Sequence, residues 1–305
     1  MASKSRYPRP ADSPQKREGI RPRELQDALN FHLFHPQARR LARLLMHTPV
    51  TPDMVSVAGG LLVVAAGLAY AQPGWPLPAL VGLALHLLWH VVDGADGDLA
   101  RLTGRSSPRG ELVDGICDYA SHIVLYLILA SLLQDQIGPL AWLMAAGAGA
   151  SRILQANHYE VQRRQYQWWV YGTPWLRSSR RAGAGEGIGS PLATAYLTLA
   201  QKIAPHALAA DRAVAAAVSS SRGAERARTA IRRHAKPMLK SLSLLGANYR
   251  TIALGFSMLA GSPIYFFLYE AVALNLVLFR SVRICNGATR RLIAELGHAD
   301  ASTLR

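Results

Sequence analysis

Charge is the first thing this sequence is short of. Only 17% of its 305 residues are Asp, Glu, Lys or Arg, where soluble globular proteins carry about 25%. Acidic residues are scarcer still, 19 against 34 Lys and Arg. Cysteine is nearly absent. Cys117 and Cys285 exclude the disulfide framework of a small secreted module, and no CxxC or Cys/His cluster speaks for structural zinc. The first 20 residues hold no apolar run, which predicts no cleavable signal peptide. What the chain has in quantity is apolar residues, 50% of the total. A net charge of +15 would suit nucleic acid if the cations were spread along the chain. They are instead confined to three zones between long apolar stretches, which is a membrane protein's distribution, so nucleic acid is not an expected partner.

Six apolar segments stand out, at 54–71, 77–92, 112–133, 139–156, 242–261 and 263–279. Each reaches the ~20 residues needed to cross ~30 Å of hydrocarbon once its flanks are counted. The expected fold is therefore an all-α integral membrane bundle of six transmembrane helices. The connections at 72–76, 134–138 and Ser262 contain no Lys or Arg, whereas residues 1–50 contain 10, residues 158–240 contain 14 and the tail from Arg280 contains 5. Basic loops stay cytoplasmic, so both termini and the long connection are expected inside, as in a bacterial inner membrane protein. Each cation near the surface adds about 1 kcal/mol of attraction to anionic headgroups.

Four regions follow: a cytoplasmic segment 1–50, spans one to four with a motif at 51–157, an interfacial insertion at 158–240, and spans five and six with a tail at 241–305. Leu25, Leu29, Leu33, Leu41 and Leu44, with Arg39, Arg40 and Arg43, predict a juxtamembrane amphipathic helix interrupted near Pro36. Tyr159, Tyr166, Trp168, Trp169, Tyr171 and Trp175 suit the headgroup level. Residues 182–190, AGAGEGIGS, read as a hinge and do not match GxGxxG. Leu192, Tyr196, Leu199 and Ile203 follow at helical spacing, which predicts helical structure within the connection.

The stretch from His90 to His122 breaks the hydropathy pattern. Asp93, Asp96, Asp114 and Asp118 sit at the inner ends of two adjacent spans, where charge is costly and usually functional. Asp93 and Asp96 are i, i+3, and Gly110, Asp114 and Asp118 are i, i+4, i+8, so a helical hairpin can bring the two sets face to face. Four carboxylates together need a counter-charge, and all-oxygen sites suit Mg²⁺ or Mn²⁺. Gly97, Ala100 and Gly110 let a bulky group approach the backbone, and Arg101 offers a fork for phosphate.

Asp93-x-x-Asp96-Gly97-x-x-Ala100-Arg101, eight residues, then Gly110-x-x-x-Asp114-x-x-x-Asp118 resembles the signature of the CDP-alcohol phosphotransferases, with all eight positions matched. The resemblance implies a transferase. A hydroxyl attacks the β-phosphorus of a CDP-linked lipid, CDP-diacylglycerol in the leading version, and CMP leaves. It further implies that Asp93, Asp96 and Asp114 hold two divalent ions, with Asp118 as general base and an additional ligand. Asp53, Ser56, Gly97, Ala100, Arg101, Ser107 and Gly110 correspond to positions that contact the nucleotide. The family's Asn-x-x-Thr at the first span is here Asp53-Met54-Val55-Ser56, a departure that bears on nucleotide contacts and not on the reaction. A homodimer is compatible with the resemblance.

His122, Arg152 and Arg250 are candidates for contacting the acceptor. An intramembrane Arg must face protein or a cavity. A phosphate-bearing acceptor would satisfy that, and so would an ion pair such as Arg250 with Glu270; the sequence leaves both open. His86 and His90 share a face with Asp93, and Gly147 with Ser151 fits helix packing. Three other readings remain at this stage. The chain could transfer a phospho-alcohol from a soluble CDP-alcohol to a lipid hydroxyl, transport divalent cations, or act as a non-catalytic membrane scaffold. The acceptor alcohol is not readable.

Overall fold

The computed structural model describes residues 22–173, 198–218 and 221–303, and among them every regular element is a helix. The chain divides into two compact units, one from Pro14–Arg152 with Gly246–Leu274 and one from Ile153–Leu245 with Asn275–Arg305.

The first unit opens with a π-helical turn at Asn30–Phe34 that runs into α1, His35–Leu45, with Pro36 in its first turn. A proline is tolerated there because the first N–H groups of a helix have no intrahelical partner. Thr51 caps α2, Pro52–Tyr70, its hydroxyl accepting from the Met54 N–H at 3.3 Å. Helix α3 covers Leu77–Leu102 and α4 covers Pro108–Ile137. The reversal between them uses Gly104 at φ +66°, and Ser107 caps α4 by accepting from the Gly110 N–H at 3.0 Å. Helix α5, Leu140–Tyr171, contributes residues to both units.

Apolar packing joins α2, α3 and α4 through Val63, Trp89, Leu125, Leu129 and their neighbours. Close approach is possible because small residues stand at the contacts. A Cβ on Gly82 would lie 2.5 Å from the Tyr70 ring, and one on Gly255 would lie 2.5 Å from Leu83. Gly255 belongs to α8, Ala247–Leu259, which reaches α3 from the far end of the sequence. A short α9, Ile264–Leu268, and a π-helical turn, Tyr269–Ala273, complete this unit before α10, Leu274–Thr303.

Among the described residues, four helices are long and apolar enough to cross a membrane: Pro52–Tyr70, Leu77–Leu102, Arg109–Ile137 and Ile264–Gly297. The other two expected segments take different forms. The segment at 139–156 lies within α5, where Gly, Ser, Arg152 and Gln155 dilute its apolar character. The segment at 242–261 breaks at Gly246, leaving α8 with 13 residues, which is about 20 Å of helix. The last span extends well past Phe279.

Helix α1 carries Leu41 and Leu44 of the N-terminal stripe. Its inward face is Phe34, Ala38 and Ala42, while Leu33 and Leu44 point outward. Alanine packs there because α1 lies close against the motif part of α3, where a Cβ on Gly94 would stand 3.0 Å from that of Ala38.

In the second unit, α5 buries Gln155, His158, Gln162, Gln165 and Trp169 at heptad spacing. Gln155 donates to Asn275 at 2.8 Å, His158 meets the Ser281 hydroxyl at 3.0 Å, and the Trp169 indole donates to Asp211 at 2.8 Å. Asp211 is carried by α6, Ala207–Ala217. Tyr166 and Trp169 are thus interior residues and not a headgroup belt. For Trp169 the Asp211 carboxylate supplies a polar partner inside the fold. Leu199 and Ile203 are helical as expected, and Ala200 between them packs on Val161. Helix α7, Ser221–Leu242, pairs through Arg233 and His234 with Glu295. Trp175, the hinge at 182–190, Leu192 and Tyr196 lie outside the described residues.

Candidate active site

Helices α3 and α4 set the site. Both pack on α2, and one oxygen from each of Asp93, Asp114 and Asp118 comes within 4.8 Å of the other two. All three are half-buried. Ionised carboxylates that close repel by about 3 kcal/mol per pair at an effective dielectric of about 20. Hard oxygen donors gathered in this way fit a divalent cation such as Mg²⁺ or Mn²⁺. Among the described residues this is the group of His, Cys, Asp and Glu side chains with metal-ligand proximity. His86 and His90 stand outside it, and His90 Nε2 is 2.9 Å from the Thr251 hydroxyl.

Asp96 is not one of that trio, but its carboxyl group meets that of Asp114. It is buried, accepts the Ser56 hydroxyl at 2.6 Å and also accepts the Gly97 N–H. It faces an open cleft enclosing about 520 Å³, lined by residues of α2, α3, the reversal and the start of α4. Asp53, Ser56, Gly97, Ala100, Arg101, Ser107 and Gly110 all line it, with Asp96 and Asp114. Asp114 is therefore common to the cleft and to the carboxylate trio, while Asp93 and Asp118 belong to the trio alone.

Ser107 has two tasks here, capping α4 and lining the cleft. Arg101 pairs with Asp98 one turn back, so its fork begins occupied by a carboxylate. Arg105, Ser106 and Glu111 also line the cleft and were not singled out from sequence, although their position between the two halves of the motif was a usable signal.

Deeper in the bundle, His122 Nδ1 donates to the Asp118 carbonyl at 2.8 Å. That leaves Nε2 as the acceptor nitrogen of a neutral ring. Its ring meets Trp89 edge-on at 4.8 Å and His86 at 5.8 Å. Arg250 is ion-paired with Glu270, and Arg152 approaches the other oxygen of the same carboxylate at 3.8 Å. Glu270 is wholly buried in the π-helical turn. The ion pair left open in the sequence is formed, and it takes in Arg152 as well.

The apolar helices thus hold a group of acidic oxygens beside an open cleft. Residues 49–218, more than half of the chain, match the CDP-alcohol phosphatidyltransferase family, and the chain belongs to that family. Its apolar helices and that membership make it an integral membrane protein. A stretch of 75 residues, 24% of this chain, is 41% identical to the "Bifunctional IPC transferase and DIPP synthase" of Rubrobacter xylanophilus. That alignment covers 16% of the relative's length.

Proposed function

We propose that the protein transfers the phosphatidyl group of CDP-diacylglycerol to the hydroxyl of a small acceptor, releasing CMP. Asp93, Asp96, Asp114 and Asp118 hold two divalent ions. Asp53, Ser56, Gly97, Ala100, Arg101, Ser107 and Gly110 receive the cytidine nucleotide. When bound, the ions neutralise charge on the bridging and leaving oxygens of the pyrophosphate.

The acceptor oxygen forms a bond to the phosphorus that carries diacylglycerol, and the bond from that phosphorus to the CMP oxygen breaks. Asp118 takes the hydroxyl proton, as a positioned carboxylate can. His122 fixes the turn that carries Asp118 by donating to its carbonyl, and with Arg152 and Arg250 it forms the acceptor side. The helices adopt a six-span arrangement in which the shorter α8 and the first part of α5 complete the crossing. Helix α1 lies at the surface, and both termini, the insertion and the site face the cytoplasm of a bacterial inner membrane.

One observation carries this reading. The carboxylate trio and the cleft share Asp114, so a pyrophosphate near Asp96 and Asp114 and a base at Asp118 fall on opposite sides of one residue. The test is CMP release from CDP-diacylglycerol by purified protein, with and without Mg²⁺ or Mn²⁺, across a panel of acceptor alcohols. Absence of metal-dependent CMP release with every acceptor would exclude CDP-diacylglycerol as donor. Release from a soluble CDP-alcohol instead would reverse donor and acceptor lipid roles.

A further inference from the structure

Helix α1 presents two unlike faces. Phe34, Ala38 and Ala42, at i, i+4, i+8, are buried against Val55, Ala95 and Leu99. Ala95 and Leu99 alternate along α3 with Asp93, Asp96, Gly97 and Ala100, so α1 packs on the back of the segment whose front carries the aspartates. The fit is tight, with 3.0 Å between the Ala38 Cβ and a Cβ placed on Gly94. Phe34 also lies 4.8 Å from the His90 ring. Just ahead of α1, Asp27 accepts both 3.0 and 2.9 Å bonds from Asn248, two residues before Arg250.

The opposite face is neither a water-facing surface nor a core. Leu44 is 71% exposed and Leu33 is 47% exposed, and Arg40 and Arg43 are exposed between and beside them. Leu33, Gln37, Arg40 and Leu44 fall at i, i+4, i+7, i+11 on one stripe. α1 ends at Leu45 and the first candidate span begins at Pro52, so chain continuity holds this face at the edge of the hydrocarbon. Exposed leucines beside exposed guanidiniums, at that depth, fit acyl chains below and anionic headgroups above.

We propose that α1 is a binding surface for anionic lipid, and that its seating on Gly94 and Ala95 holds the motif segment of α3 in place, so that transfer depends on the charge of the surrounding membrane. The dependence of transfer rests on the reading of Asp93 and Asp96 as part of the catalytic centre; the lipid surface does not.

The full chain is reconstituted in nanodiscs of phosphatidylcholine, alone or mixed with phosphatidylglycerol, with CDP-diacylglycerol at a constant mole fraction, Mg²⁺, and the panel of acceptor alcohols in excess over the phosphatidylglycerol hydroxyls. Hydrogen exchange of residues 35–45 and 93–101 is followed together with CMP release. Phosphatidylglycerol should slow exchange in both segments and raise CMP release several-fold. The double change Arg40→Gln with Arg43→Gln should weaken the response to anionic lipid on the order of 30-fold, from about fivefold per cation. Arg40→Lys with Arg43→Lys should retain it, because the attraction is one of charge. Unaltered exchange in residues 52–70 shows that a variant is folded. Exchange in α1 that ignores lipid charge overturns the proposal. Exchange that responds while CMP release does not overturns the link to the site. An α1 response with no CMP release in any membrane upholds the lipid surface and excludes CDP-diacylglycerol as donor, the reading on which the link rests.

Discussion

Glu270 is a single buried carboxylate facing two guanidiniums, and Glu270→Gln tests that arrangement directly. The side chain has no exposed surface, Arg250 pairs with it closely, and Arg152 stands 3.8 Å away. At that separation one ion pair is worth about 4 kcal/mol at an effective dielectric of about 20. Removing one partner of a buried pair costs about 3–5 kcal/mol, because the remaining charge stays desolvated. Glu270→Gln strands two cations and should fall at the upper end of that range. Arg250→Leu leaves Glu270 with Arg152 as counter-charge, so its loss should be smaller, about 2 kcal/mol. The double variant Arg250→Leu with Glu270→Leu should recover part of the stability, limited by Arg152, which then has lost its carboxylate. Thermal unfolding in one detergent at neutral pH, with all three variants beside wild type, gives the order. A melting temperature for Glu270→Gln equal to wild type, or Arg250→Leu proving the more damaging change, would refute the shared-carboxylate account.

Other consequences are more direct. Asp93→Asn, Asp96→Asn and Asp114→Asn should each reduce CMP release at least about 100-fold at saturating Mg²⁺, and full activity of any one removes it from the metal-binding set. Asp118→Asn should lower kcat far more than it weakens CDP-lipid binding; a collapse of nucleotide affinity with surviving kcat would make Asp118 a ligand and place the base elsewhere. Arg152→Ala should raise the acceptor's KM while leaving CDP-lipid affinity near wild type, and an unchanged KM would exclude Arg152 from the acceptor side. A cysteine introduced at position 185 should be labelled by impermeant reagent only from the cytoplasmic side, and labelling from the opposite side would invert the topology.

Much of the site was legible because its spacing is local. The intervals from Asp93 to Asp96 and from Gly110 to Asp118 are helical repeats, so the sequence alone determined that each set shares a face, and hairpin geometry then brings the faces together. Long apolar runs with one-sided cations likewise determined an apolar helical bundle, since hydropathy depends on composition along one segment. Even the Arg250–Glu270 pair was open to inference, because two opposite charges in adjacent apolar segments have few other partners.

Only the tertiary structure decided which neighbours those faces meet. It made Asp114 common to the cleft and the carboxylate trio, and it left Asp96 outside the trio in a bond from Ser56, 40 residues earlier in the chain. The π-helical turn that delivers Glu270 to both Arg152 and Arg250 has no sequence signal of its own, because it is a response to packing. The inward choice of Ala38 and Ala42 over the leucines of α1 came from the close approach at Gly94. The Trp169 indole found its buried partner in Asp211, more than 40 residues away. A residue's periodicity is a property of its own helix, whereas the surface it finally faces is a property of another, and packing between segments distant in the chain sets that surface.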